Sequence, residues 1–259
     1  MNSTKITPDW IRLRKGAGEK IAALTVVDYP TAKILDEAGI PLLLVGDSLG
    51  MVALGYEDTT KVSLDDMLHH LRAVARAKVR SLVVADMPFG WNREEGKALY
   101  CARKLCEAGA QAVKVEGGTE VERIVRLLVS QGIAVMGHIG LMPQFLGQPP
   151  KYRKYGLEDK ERKKIIDDAL CLSKAGVFSI VLEALDEELA AEVTRLVDVP
   201  TIGIGSGKCC DGQILVFHDL VGLFPWFRPK FVQPKLDLVS LIKEAVRAYK
   251  EEVQKGPQK

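Results

Sequence analysis

Four short apolar runs in this sequence end in an acid. They are Leu42–Gly46 before Asp47, Leu82–Ala85 before Asp86, Ala112–Val115 before Glu116, and Ile180–Leu182 before Glu183. A fifth run, Ile133–Gly137, ends in His138. Carboxylates gathered at one rim repel each other unless a cation or shared protons hold them. Asp47, Asp86 and Glu116 form an oxygen-only donor set, which suits a hard ion such as Mg²⁺. The alternative is that each acid caps the loop or helix that follows it. Lys114 precedes Glu116 by two residues and shares its strand face. Inside a barrel an unpaired lysine is costly, so it would bind an anionic substrate beside the metal. Outside, it would lie under a helix and reach solvent.

The other polar residues carry similar pairs of readings. Ser48, with Leu49 and Gly50, offers a hydroxyl and backbone N–H groups that bind carboxylates, or else forms a plain turn. His138 is a site residue or a satisfied core histidine. Glu183, partly desolvated at a strand end, has the character of a general base, against a structural salt bridge. Gly203-Ile204-Gly205-Ser206-Gly207 follows a run where barrels often bind phosphate, or is a tight turn.

The elements that must position these groups follow from the pattern. Short Val-, Leu- and Ile-rich runs separated by helical spacing predict buried parallel strands. Strands are expected at 21–27, 42–45, 82–86, 112–116, 133–138, 179–183 and 201–205, and 214–217 reads as a short eighth strand or the start of a helix. Helices are expected at 8–13, 29–38, 63–77, 93–108, 119–131, 157–175, 186–197 and 236–253. Ser63 with Asp66 forms an approximate capping box, Thr119 with Glu122 a second cap, and Ser48–Val62 a long loop. Another loop, to Gly156, holds Pro143, Pro149, Pro150, Tyr152 and Tyr155. This alternation predicts an α/β protein, a (β/α)8 TIM barrel. One domain over 1–259 is expected, with a short N-terminal helical arm and a C-terminal helix.

Composition narrows the function. The chain has 259 residues, 47% hydrophobic and 27% charged, with a formal charge of +2. Near-neutral charge argues against nucleic acid and membrane surfaces as partners and leaves small-molecule substrates. No apolar stretch approaches the roughly 20 residues of a membrane span. A polar N-terminus without a signal-peptide core predicts a cytoplasmic location. Cys101, Cys106, Cys171, Cys209 and Cys210 form no CxxC pair and predict reduced, structural thiols.

Seven blocks in order carry a family resemblance. They are Asp28–Lys33, Leu44–Met51, Ala85–Phe89, Val113–Gly118, Gly137–Leu141, Val181–Glu183, and Ile202–Gly205 with Asp211–Val216. In these the chain resembles the ketopantoate (3-methyl-2-oxobutanoate) hydroxymethyltransferase family over nearly its whole length. The resemblance implies a Mg²⁺-using barrel that moves a hydroxymethyl unit from 5,10-methylenetetrahydrofolate to 3-methyl-2-oxobutanoate on the way to pantothenate. It also implies a homo-oligomer, commonly a decamer. Carried over, Asp47, Asp86 and Glu116 would be metal acids. Asp47, Ser48, Asp86 and Lys114 would contact the oxo acid, and Glu183 would accept the proton. Val27, Met142, the Gly90-Trp91-Asn92 stretch and Pro149-Pro150-Lys151-Tyr152 depart from the family pattern. These departures touch loop contacts, including those to folate, more than the chemistry. Two rivals share the fold: a Mg²⁺ enzyme of the isocitrate lyase type without folate, and a barrel that binds a ligand without turnover.

Overall fold

The structure is a computed structural model that describes residues 4–142 and 153–255. Pro143, Pro149, Pro150 and Tyr152, with the departure at 149–152, lie outside the described residues. The chain forms two compact units, one running to Ile214 and the other starting at Leu215.

The first unit carries a closed parallel barrel. Its strands are β1 (Ile21–Thr25), β2 (Leu42–Val45), β3 (Leu82–Asp86), β4 (Ala112–Glu116), β5 (Val135–Gly140), β6 (Ser179–Glu183), β7 (Thr201–Ile204) and β8 (Gly212–Leu215). Helices Tyr29–Glu37, Leu64–Ala75, Glu95–Ala108, Glu122–Ser130, Asp159–Ala175 and Glu187–Leu196 connect them. The barrel interior is packed by Ile21 and Ala23, Leu42 and Leu44, Leu82 and Val84, Ala112, Met136, Val181, Ile202 and Ile214. Side chains alternate across a strand, so every second residue faces inward. Continuing that count puts Asp86, Lys114, Glu116, His138 and Glu183 on the inward face at the carboxyl ends. Register then aligns them, with Asp86 opposite Lys114, Glu116 opposite His138 and Gly140 opposite Glu183.

The amino end of the barrel is sealed. Ile11 of the short helix Pro8–Arg12 is fully buried in the interior cluster. Asp36 Oδ1 accepts from the Arg80 and Ser81 N–H groups at 2.8 and 2.9 Å, with the Ser81 hydroxyl at 2.8 Å. Asp211 accepts from Thr201 N–H at 2.9 Å and Gly16 N–H at 3.3 Å, and pairs with Lys15 Nζ at 3.0 Å.

Several boundaries differ from expectation, each for a local reason. The fifth strand begins at Val135 and runs to Gly140, because the Ile133 N–H closes the preceding helix onto Leu128 O at 3.0 Å. The eighth strand begins at Gly212, and Phe217 starts a short helix, Phe217–Leu220. The expected 48–62 loop contains a helical turn, Leu49–Val52, and a 3-10 turn, Thr59–Lys61. Thr119 is not a helix cap: it opens a 3-10 turn and its N–H goes to Asp168 Oδ1 at 2.9 Å, so the helix starts at Glu122. The Ser63–Asp66 capping box forms in full.

In the second unit, helix Leu238–Lys255 exposes Leu241, Ile242, Val246, Tyr249 and Val253. Lys235 and Leu238 N–H groups bond to Leu220 O and Val221 O at 2.7 and 3.0 Å. Among the described residues, no helix is long and apolar enough to cross a membrane.

Candidate active site

The first cluster forms where β2, β3 and β4 end side by side. Asp86 is 2% exposed and Lys114 5%. Lys114 Nζ lies 3.0 Å from Asp86 Oδ1, and the Asp47 N–H donates to Asp86 Oδ2 at 3.0 Å. Gly46 makes room for this approach: a Cβ there would sit 3.3 Å from Ser48 Oγ and 3.4 Å from Asp86 Oδ2. Ser48 is partly buried at the start of the Leu49–Val52 turn, and its side chain makes no capping bond there. Lys114 thus lies inside the barrel among acids rather than under a helix at the surface.

A second line of contacts runs from β4 to β6. Glu116 Oε1 is 3.2 Å from His138 Nδ1 and 3.9 Å from Lys114 Nζ. His138 Nδ1 also lies 3.1 Å from Lys114 Nζ, and its Nε2 is 3.1 Å from Glu183 Oε2. His138, 2% exposed, therefore lies between two acids on different strands, close to both, although its Nε2 is aligned for no hydrogen bond. The main-chain oxygen of Glu116 accepts from Asn92 Nδ2 at 2.6 Å. Sequence had marked Asn92 only as part of an unusual stretch. An amide in a Gly-bounded turn after a strand-ending proline is the signal that could have found it.

The backbone around Glu183 is tightly determined. Its carbonyl accepts from Leu141 N–H at 2.9 Å. Gly140, at φ +99°, presses against that carbonyl, where a Cβ would land 2.3 Å from the oxygen. Ala184 follows with φ +53°, an uncommon conformation for a residue with a side chain. Buried Ser206 spans this turn: its hydroxyl donates to Leu182 O at 2.8 Å and accepts from Leu185 N–H at 2.9 Å. The Gly203–Gly207 segment thus packs against protein. Gly207 leaves room for Glu187, whose carboxylate accepts from Lys208 N–H at 3.1 Å.

Electrostatics separate the members of the cluster. Burial pushes the Asp86 carboxyl above its usual range, although Lys114 and the Asp47 N–H pull the other way. At Lys114 burial opposes the charge, but Asp86, Glu116 and Asp47 outweigh it and raise its pKa. At His138 burial and Lys114 oppose protonation, and Glu116 and Glu183 overcome them, lifting it to about 9.

Does this set suit a divalent cation? Among the described residues, no three or more His, Cys, Asp and Glu side chains are gathered to hold a metal ion by themselves. Asp47 touches Asp86 through its backbone N–H, while the Glu116 carboxylate turns to Lys114 and His138. Mg²⁺ takes only one or two carboxylates when waters and substrate complete its shell. Asp86 Oδ1 is buried and has no hydrogen-bond partner, its approach to Lys114 being off-angle. Among the described residues, the acids Asp47, Asp86, Glu116 and Glu183 gather near one ammonium and one imidazole. Donor chemistry and the unmet oxygen both fit Mg²⁺ at Asp47 and Asp86, with Glu116 behind them. The cysteines, all free, lie outside these contacts, and burial pushes the Cys101 thiol up to about 12.

Similarity to known proteins identifies the family. A sequence model described as ketopantoate hydroxymethyltransferase matches residues 5–259. The 3-methyl-2-oxobutanoate hydroxymethyltransferase of Carboxydothermus hydrogenoformans is 52% identical over 251 residues, 96% of this chain and 91% of that protein. The protein of the same name from Pyrobaculum neutrophilum is 54% identical over 243 residues, 93% and 92% of the two chains. Among solved structures, 2,3-dimethylmalate lyase, a PEP mutase/isocitrate lyase superfamily member, superposes with a TM-score of 0.64 at 17% identity, covering 95% of this chain and 89% of that one. A phosphonopyruvate hydrolase complex with oxalate and Mg²⁺ gives 0.62 at 14% identity, covering 82% and 81%. At such identities these two structures show a shared fold and nothing more.

Proposed function

The chain belongs to the ketopantoate hydroxymethyltransferase family, and on that premise we propose that it makes 2-dehydropantoate. The reaction joins 3-methyl-2-oxobutanoate to the one-carbon unit of 5,10-methylenetetrahydrofolate, with water supplying the hydroxyl. The observation that carries the reading is the meeting of Lys114, Asp86, His138 and Glu183 in one barrel mouth. The family match and relatives at about half identity favour it over a folate-free lyase, whose support is fold alone.

Each residue has a distinct task. Lys114, held cationic by three acids, pairs with the carboxylate of the oxo acid. Ser48 adds a hydroxyl beside Asp47. Asp47 and Asp86 would hold Mg²⁺, which would supply Lewis-acid polarisation of the oxo group, worth several kcal/mol. Glu183 takes the C3 proton, a contribution of about 10²–10⁴-fold. His138, between Glu116 and Glu183, keeps the base aimed and shields its charge from Glu116. Water adds to the folate methylene carbon as both of its N–CH₂ bonds break, leaving tetrahydrofolate and a one-carbon unit at the formaldehyde level. The carbon nucleophile adds to that carbon, and the alkoxide formed takes a proton to become the hydroxyl.

Incubation with both substrates and Mg²⁺ tests this. The expected product is 2-dehydropantoate, formed only when folate donor, oxo acid and metal are all present. Cleavage of the oxo acid, or no product, would overturn it. The decamer implied by the resemblance belongs to the same reading, and sedimentation equilibrium checks it.

A further inference from the structure

We propose that Asn92 is a positioning residue for Glu116, supplying the last rung of the β3–β4 seam where the main chain cannot. The β3–β4 ladder ends with Met87 N–H donating to Lys114 O at 2.9 Å. In a parallel ladder the next rung, two residues on, would join Phe89 N–H to Glu116 O. Pro88 intervenes, with no N–H and a fixed φ, and turns the chain out of the sheet. Gly90, at φ +85°, then folds the chain back through the Trp91–Arg93 turn. That return places the Asn92 carboxamide, 5% exposed, at 2.6 Å from Glu116 O. On the opposite edge, Gly117 N–H holds His138 O at 3.0 Å. Glu116 is thus gripped from both sides, and its carboxylate meets His138 Nδ1 and Lys114. The Asn92 carboxamide bonds to the Glu116 main chain, so its effect on chemistry passes through Glu116.

The kinetic part of this inference rests on the proposed function, and the spectroscopic part does not. Asn92→Ala and the isosteric Asn92→Asp both remove the donor. The imidazole ¹⁵N resonances of His138 are compared in wild type, both variants and Asp36→Ala, which perturbs the far end of the barrel. Both Asn92 variants should shift the His138 resonances, while Asp36→Ala leaves them in place. Exchange of the C3 proton of 3-methyl-2-oxobutanoate into D₂O should fall about tenfold in kcat, with KM changed less than about threefold. If Asn92→Ala does not accumulate folded, Asn92→Asp is read by the same two measures. Unmoved resonances with kcat within about twofold of wild type, alongside a lower Tm, would overturn the proposal and leave Asn92 structural. A wild type without exchange would instead count against the proposed function, and the resonances would still judge Asn92.

Discussion

At the amino end of the barrel, Asp36 and Asp211 accept from backbone N–H groups of Arg80, Ser81, Gly16 and Thr201. At the carboxyl end, Asp86 and Glu116 face Lys114, His138 and other acids, and one Asp86 oxygen has no hydrogen-bond partner. The amino-end acids are also less buried, with side chains 16% and 10% exposed against 3% and 2%. Fixed N–H donors lower a carboxyl's pKa and join the chain ends to the sheet. Asp36 accordingly sits below its ordinary value: burial pushes up, and bonds from Ser81 and Arg80 prevail. Asp86 goes the other way. One end therefore uses its acids for stability, and the other is where the proposed cation and substrate would bind.

Substitutions at the two ends should separate these effects. The largest change is expected from Asp86→Asn. Turnover should fall about 10³-fold, since a proposed carboxylate ligand of the metal is lost. Its Tm should hold or rise at neutral pH. A raised folded pKa means that ionising Asp86 costs stability as pH climbs past the ordinary carboxylate range near about 4. Asparagine removes that cost, and Glu116 and Asp47 remain to offset the loss of Asp86 as a partner of Lys114. Turnover and thermal melts on one preparation check both signs, and a steep loss of Tm would erase the contrast between the ends.

Gly140→Ala should come next. A Cβ 2.3 Å from the Glu183 carbonyl, at φ +99°, forces the β5–β6 seam apart. A shift of the base by about 1 Å would cost on the order of 10²-fold in kcat. Steady-state kinetics with a melt would show both activity and stability falling, unlike Asp86→Asn.

Asp36→Ala should give the smallest catalytic change, with kcat within about twofold of wild type. It leaves buried donors at the start of β3 unmet, at about 1–3 kcal/mol of stability. Because the Asp36 pKa is lowered on folding, its contribution is fully present above the unfolded value near about 4 and disappears as pH falls through the folded one. Urea melts at neutral pH and at about pH 3 should show the gap between variant and wild type closing in acid. An equal gap at both would remove the charge from the explanation.

What the sequence displayed follows from strand period. The inward parity of Leu82, Val84 and Asp86, or of Ala112, Lys114 and Glu116, is written in the chain and places these groups at one mouth. Parity within a strand says nothing of register between strands. The Glu116–His138–Glu183 line needed β4, β5 and β6 aligned. Thr119 looked like a cap, but a competing acceptor, Asp168, lay 49 residues away and took its N–H. Gly118 admits that acid, since a Cβ there would meet Asp168 at 2.0 Å. The strained turn at Ala184 was equally hidden, because its support comes from Ser206, on the loop after the next strand.

The central claim is that Glu183 takes a proton from an oxo acid held by Lys114 and a cation at Asp47 and Asp86. Its most direct measurement is C3–H exchange of 3-methyl-2-oxobutanoate in D₂O without folate, comparing wild type with Glu183→Gln. Exchange should require Mg²⁺ and fall about 10²–10⁴-fold in the variant, while the oxo acid still binds in a Mg²⁺-dependent way. Undiminished exchange in Glu183→Gln would contradict the account.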